Sequence, residues 1–503
     1  MPRDDEKNLA IRTYGHRIFE GQTLPEYLLE FALVFLADKP EKDPSLGSSG
    51  RFPTRRVAKG ELEYSTDARI GLKRFIFFER SKQQNRLKID QYAYQEMRKL
   101  LEGKIECDDD LTATQAVDII QELFYGYNAV LLNRSWFAQS LLPVSRMLIF
   151  PEAMRRSARN RSFRRYGVDN IDVRDLPEVD TEFDFNSYLF LARGGEVYYL
   201  HVLTGLLQTQ DAELRYSIEE GLSQLFDSRP ELSRLAYWIQ HTWDEYMGYD
   251  GHNERKITKT CQWIPTEYEI RASYTCRELA SFLQARMDAL QKIELLSLGV
   301  VIQILRMMHD RAGALVKRTI TRPAWIVHVP GCASNDVKSL ATRSYQQCED
   351  DLFGALYTQK HPNESPDELR EMVAKAAHNA HLLFRKLGKA AGLVVPPKGS
   401  NMRFSVSEDL LKFFVLALIE PGEKMLLSDF LSKLYEHFGI IIGSSEFSAY
   451  QEENQINSSA IGDSSLLRAN EEAFKDMLKA CGFLRDLSDA TAIVENPFGG
   501  GQQ

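Results

Sequence analysis

The chain has 503 residues, a formal net charge of −9, and a composition of 44% hydrophobic and 26% charged residues. Those proportions are ordinary for a globular protein, and 11% aromatic residues exclude extensive disorder. Single cores seldom grow beyond roughly 250–300 residues, so a chain of this length divides into several domains.

The chain opens on Met-Pro-Arg-Asp-Asp-Glu-Lys, which lacks the apolar stretch of a signal peptide. Residues 23–37 begin with a Thr cap and an early Pro and continue with a wide apolar face, the pattern of a buried helix. Residues 38–67, rich in Pro, Gly, Ser and basic side chains, read as a long mobile loop. Helical periodicity returns at Asp90–Leu101 and Thr112–Tyr125. Ser187–Leu191 and Glu196–Val202, flanking Ala-Arg-Gly-Gly, predict a hairpin. From about Asp211 to Val316 the reading is mainly helical, with Tyr216–Phe226, Glu231–Trp243, Thr275–Leu290 and Glu294–Leu305 as the clearest segments. A strand at Trp325–Val329 and two long helices, Asp336–Gln359 and Pro366–Leu387, follow. The six cysteines are scattered without a CxxC pair, and the longest apolar runs, such as Phe413–Ile419, fall far short of the ~20 residues that cross a bilayer. A cytoplasmic protein with reduced thiols and no membrane partner is expected.

Val394-Val-Pro-Pro-Lys-Gly-Ser-Asn reads as a linker. Beyond it, Ser407-Glu-Asp opens a helix that runs to Leu418 and stops at Glu420-Pro-Gly. A second helix spans Leu427–Phe438, a polar loop follows, and a third helix covers Ala469–Ala480 and ends at Gly482. Phe483–Leu487 and Thr491–Val494 then form a hairpin. Three helices and a hairpin resemble a winged helix domain. The predicted fold class is therefore mainly α: an N-terminal helical domain at 1–150 with its basic loop, a central mostly helical domain at 151–393, and a winged-helix-like domain at 394–503.

Six arginines occur within eleven residues at Arg155, Arg156, Arg159, Arg161, Arg164 and Arg165, interleaved with Phe163 and Tyr166. The guanidinium fork suits phosphate, and the aromatic rings suit base stacking, so these eight residues are the candidate nucleic-acid contact. Seven acidic residues between Asp169 and Asp184, opposed only by Arg174, follow directly. Three readings stay open: contact with DNA or RNA, neutralisation by the acidic tract, and docking of an acidic protein partner. Arg51, Arg55, Arg56 and Lys59, and Lys73, Arg74, Arg80, Lys82, Arg86 and Lys88, either extend such a surface or are solvated faces. In the third C-terminal helix, three acidic residues stand against two lysines, which disfavours direct DNA reading there.

The sequence contains no phosphate-binding glycine loop, nucleophile elbow, zinc helix or dinucleotide fingerprint. His378 and His381 share a helical face without further ligands, and no metal or other cofactor is expected. Asp184 with Glu196-Val-Tyr198 follows the acidic pair of metal-dependent nucleases, with Tyr198 where that pattern requires lysine. A large helical chain with a winged-helix end and no readable active site is similar to accessory subunits of bacterial multi-gene antiviral systems. That resemblance implies a non-enzymatic scaffold subunit whose partners are other proteins of the same system. The alternatives are a divergent metal-dependent nuclease and a winged-helix transcriptional regulator.

Overall fold

A computed structural model describes residues 8–18, 21–39, 51–58, 61–67, 69–81, 88–108, 110–125, 143–149, 152–154, 188–190, 194–248, 255–259, 263–316, 323–360, 364–455, 464–488 and 491–499. These residues are mostly helical, with short strands in small sheets.

The first elements are α1 (Leu9–Tyr14) and α2 (Leu24–Leu36). Pro25 pre-sets the first turn of α2, and the Thr23 N–H donates to Glu26 Oε2 at 2.7 Å. At its other end, Lys39 Nζ donates to the carbonyls of Val34 and Phe35 at 2.6 and 3.1 Å, and Arg51 donates to that of Leu36 at 2.9 Å. Both side chains therefore satisfy orphan carbonyls at the C-terminal end of the helix, and burial lowers the pKa of the Lys39 amine to about 7.

The region expected to be a mobile loop is partly built into the body. Phe52 is buried and stacks on Tyr199 with ring centroids 4.8 Å apart. Beyond it, β1 (Glu63–Asp67) pairs antiparallel with a strand from far downstream, β4 (Arg255–Lys259). Three helices follow, α3 (Ile70–Ser81), α4 (Lys88–Glu102) and α5 (Ala113–Tyr125), and then β2 (Glu152–Met154) pairs with β3 (Tyr188–Phe190).

The predicted hairpin across the Gly-Gly pair is overturned. Gly194–Thr209 is a helix, α6, and Tyr188–Phe190 pairs with Glu152–Met154 instead. The run Val-Tyr-Tyr-Leu-His-Val-Leu reads as strand because it is β-branched and aromatic, with no polar face to reveal a helical period. Its burial is complete because α6 packs against α2 and against α9 (Ala272–Gln284). The glycines serve close approach: a Cβ on Gly194 would lie 2.0 Å from Tyr27 Cε1, and one on Gly195 2.4 Å from the Phe31 nitrogen.

Between α6 and α9 lie α7 (Ala212–Leu225) and α8 (Pro230–Met247). The helix expected at 275–290 stops at Gln284, and Asp288 caps the next one with its side chain accepting from the Leu290 N–H at 2.8 Å. That next helix, α10 (Ala289–Leu315), is the axis of the molecule, and its residues from Ile293 to His309 are all buried except Glu294. It is followed by β5 (Trp325–Ile326), α11 (Asn335–Thr358) and α12 (Pro366–Ala390).

The expected linker is a tied hairpin: β6 (Val394–Val395) pairs antiparallel with β7 (Arg403–Phe404), with Val394 and Phe404 buried. The C-terminal part then runs α13 (Glu408–Leu418), β8 (Lys424–Leu426), α14 (Leu427–Lys433, continued by a π turn through Phe438) and β9 (Ile440–Ile441). Next come α15 (Ser444–Glu453), α16 (Arg468–Ala480), β10 (Leu484–Ser488) and β11 (Thr491–Glu495). Part of the expected polar loop is α15. The sheet order is β10-β11-β8, antiparallel throughout.

One apolar cluster extends from Leu9 to Val494, and a smaller one joins Ile326, Val337 and Leu340 to Tyr435, Ile441, Phe447 and Tyr450. Among the described residues, no helix is long and apolar enough to cross a membrane.

Candidate functional site

The C-terminal elements are fixed to the helical body at four places, each readable in residue chemistry. Ser407 caps α13 by accepting from the Leu410 N–H at 3.2 Å. That helix crosses α10 at Gly299, where a Cβ would lie 2.3 Å from the Phe413 ring. Ser281 of α9 donates to the carbonyls of both Leu416 and Ile419, at 2.9 and 3.1 Å, which closes the end of α13.

The π turn at 434–438 supplies the second attachment. Such turns displace backbone carbonyls from the helical ladder. Here the His437 carbonyl accepts from Arg271 at 3.1 Å and the Phe438 carbonyl accepts from Arg306, whose guanidinium also meets Asp310 Oδ2 at 3.3 Å. The His437 side chain reaches Glu278 Oε1 at 2.8 Å, while Gln303 donates to the other oxygen of Glu278 at 2.7 Å.

The third attachment is a single buried asparagine. Asn470, in the first turn of α16, is 0% exposed. Its Oδ1 accepts from the Val329 N–H at 2.9 Å, and its Nδ2 donates to the carbonyls of Val327 and Ile442, both at 2.9 Å. One amide thus satisfies three backbone groups on two chain segments. Fourth, β5 pairs in parallel with β9, Trp325 opposite Ile440. Nearby, His328 Nε2 donates to the Cys332 carbonyl at 3.1 Å, and burial holds its imidazole below the usual histidine range. Burial also raises the Glu446 carboxyl above its ordinary value, with Glu471 adding to the effect.

The outer face of α16 differs in character. Phe474 and Leu478 continue the buried stripe that starts at Asn470, whereas Arg468, Glu472, Asp476 and Lys479 are exposed. The helix begins at Arg468, so Arg468, Lys475 and Lys479 balance Glu471, Glu472 and Asp476. Lys475 pairs with Glu472 at 2.7 Å, and on the hairpin Arg485 pairs with Glu495 at 2.8 Å. The surface is a mosaic of both charges.

The arginine island (Arg155, Arg156, Arg159, Arg161, Phe163, Arg164, Arg165, Tyr166) and the acidic tract at 169–184 lie outside the described residues. The described residues of the other basic stretches are placed differently from one another. Lys73 and Arg74 are buried, Arg51 is turned to the end of α2, Arg55 meets Glu61 at 3.1 Å and Arg56 meets Glu269. Lys59, Lys82 and Arg86 lie outside the described residues. Glu196 of the nuclease-like pattern sits in the core, 2% exposed, and accepts from the Tyr64 hydroxyl at 2.8 Å. Asp184 lies outside the described residues. Among the described residues, no group of three or more His, Cys, Asp or Glu is placed to hold a metal ion.

Asn470 is the residue that sequence reasoning passed over, as merely the first polar position of an acidic helix. The available signal was its spacing: it precedes Phe474 and Leu478 at helical intervals, a polar residue on an otherwise apolar stripe.

The family described as Methylation-associated defense system protein MAD7 matches residues 388–495, about a fifth of the chain. The match starts in the last turn of α12 and ends on the last residue of β11, so it spans the attachment hairpin and the whole C-terminal unit. The resemblance to components of multi-gene antiviral systems is carried by this unit. No curated protein and no solved structure gives a significant match.

Proposed function

We propose that the protein is a non-enzymatic accessory subunit of a bacterial antiviral defence system, whose C-terminal winged-helix-like unit docks on another protein of that system. The winged-helix reading is supported by the order helix, strand, helix, helix and hairpin, with β8 lying against β11, and α15 as an added helix. The observation that carries the docking reading is the seat of α16. A DNA-reading helix offers its N-terminal residues to base edges in the major groove. Here Asn470, in the first turn, is turned inward by its three bonds, Arg468 is exposed beside it, and the outward face includes Glu472 and Asp476, which phosphate repels. A mosaic of both charges suits a protein surface, where alternating signs fix register and partner choice.

Nucleic-acid backbone contact, in this reading, belongs to Arg155, Arg156, Arg159, Arg161, Arg164 and Arg165, with Phe163 and Tyr166 available for stacking. The support is the local charge pattern of the sequence. Fluorescence anisotropy of the full chain on duplex and single-stranded DNA, across a salt series, tests it. Charge reversal at Arg155, Arg156, Arg164 and Arg165 is expected to weaken binding and to flatten the slope of log K against log salt by about 0.7–0.9 per lost phosphate contact. Substitutions at Glu472 and Asp476 are expected to leave DNA binding unchanged. An unchanged slope in the charge-reversed variant contradicts the backbone-contact reading, and loss of sequence-specific binding on altering α16 favours the transcriptional regulator.

A further inference from the structure

Helices α15 and α16 bring two carboxylates to one spot. Glu446 lies in the first turn of α15 and Glu471 in the first turn of α16, where the positive end of each helix dipole favours an acidic side chain. The approach is set by Gly443: a Cβ there would lie 2.7 Å from Glu446 Oε2, 3.2 Å from Glu471 Oε2 and 3.4 Å from Leu431 Cδ1. With only hydrogen on that carbon, both oxygens close over the same point beside an apolar side chain. Glu471 is half-buried, whereas Glu446 is 6% exposed and its Oε2 is shut off from solvent without a hydrogen-bond partner.

The charged groups on the surrounding elements are turned elsewhere. On α14, Lys433 reaches to the Leu418 carbonyl at 3.5 Å and Asp429 is exposed. On α16, Lys475 pairs with Glu472 at 2.7 Å and Arg468 is exposed. On α15 itself, Glu453 accepts from the Tyr435 hydroxyl at 2.7 Å and Glu452 is exposed. Among the described residues, Glu471 is the charged side chain whose field acts on Glu446. Burial is the main cause that raises the Glu446 carboxyl above its ordinary value, and Glu471 adds to it, while the N–H groups of Glu446 and Gly443 act in the opposite sense. Two means of relieving such a pair differ in the room they need. A metal ion needs several oxygen ligands around it, whereas a proton needs no space and turns the carboxyl into a donor that its neighbour accepts.

We propose that Glu446 and Glu471 form a proton-operated joint between α15 and α16, which closes when Glu446 takes up a proton and loosens when it gives the proton up to solvent. The closed joint is a carboxyl–carboxylate hydrogen bond across two helices. The loosened one is a buried charge facing a like charge, an arrangement that burial and repulsion both disfavour. The folded chain holds this proton more firmly than an unfolded glutamate does. The joint is therefore at full strength below the ordinary glutamate range, about pH 4.3, and weakens as pH rises through the raised value. This device belongs to the fold of the C-terminal unit and stands apart from the docking role of α16.

Hydrogen–deuterium exchange of the full chain, followed from about pH 4 to pH 8 and corrected for the intrinsic pH dependence of amide exchange, reads the opening of α15. The opening constant of peptides from residues 444–453 is expected to rise with pH, about tenfold for every unit by which the carboxyl pKa is raised. Glu446→Gln, whose amide is neutral at every pH, is expected to give a flat profile with less opening than wild type at neutral pH. Glu471→Gln is expected to keep a smaller rise, displaced to lower pH. It alters a half-buried residue, and so keeps the test decisive if the buried substitution fails to fold. The exposed Glu472→Gln is expected to follow wild type. The proposal is overturned if wild type shows no rise, if Glu446→Gln retains the wild-type rise, or if Glu471→Gln rises as wild type does.

Discussion

Asn470→Ala is expected to lower stability by at least about 3 kcal/mol, because three buried backbone groups lose their partner at once and each stranded group costs about 1–3 kcal/mol. The loss should appear as a lowered melting temperature and as new sites of limited proteolysis within residues 464–499, since the seat of α16 is what the amide holds. Asn470→Asp separates the contributions: the acceptor for the Val329 N–H survives, while the donors to the Val327 and Ile442 carbonyls are replaced by a buried charge. An outward substitution on the same helix, Glu472→Ala, should change stability by no more than about 0.5 kcal/mol. If Asn470→Ala melts with wild type, the clamp is not what seats the helix.

The second large effect is expected where α6 crosses α9. Intrinsic propensity favours alanine over glycine inside a helix by about 1 kcal/mol, so propensity alone predicts that Gly205→Ala stabilises. Packing predicts the reverse. A Cβ at Gly205 would lie 2.1 Å from the Ala272 carbonyl oxygen and 2.6 Å from Cys276 Sγ, and the nearest obstacle is backbone, which has no rotamer to escape into. Separating the helices costs about 1–3 kcal/mol or more, and valine adds to it. Gly205→Ala should therefore destabilise and Gly205→Val more so. Gly103→Ala is the control, since there the nearest atom, the Lys99 carbonyl oxygen, is at an ordinary 3.4 Å. Thermal melts of the three variants read the outcome directly, and a stabilised Gly205→Ala would show that the crossing is looser than described.

How much of this was legible in the sequence depends on whether an element has two different faces. Helices α2, α4, α5, α11, α12 and α13 carry caps or an amphipathic period, and the sequence reading places all of them near their observed bounds. The failure at α6 has the opposite cause: its first ten residues, 194–203, are buried on every side and show no polar face, and their β-branched and aromatic side chains then favour strand. Helix α15 was hidden for a third reason, since in Ser-Ser-Glu-Phe-Ser-Ala-Tyr only Phe447 and Tyr450 are large and apolar, and tertiary contact with the Ile326 cluster supplies what local propensity lacks. Charge was the least legible property. Lys73, Arg74 and Arg51 look like surface residues by type, and only the folded chain shows the first two buried and the third turned to a helix end. The C-terminal unit was the clearest part because its caps, stops and hairpin turn agree with one another, whereas its four attachments to the body, the Asn470 amide among them, are tertiary contacts with no local signature.

The proposed docking role of α16 has the outer side of the helix choose the partner while the inner side stays fixed to the body. Affinity purification of the tagged full chain, expressed together with the proteins encoded beside it, measures this most directly when wild type is compared with a Glu472→Lys, Asp476→Lys double variant. Wild type is expected to carry another subunit through purification, the variant to lose it with an unchanged melting temperature, and protection against phage plating to be lost in parallel. Full retention of the partner and of protection by the folded double variant would contradict it.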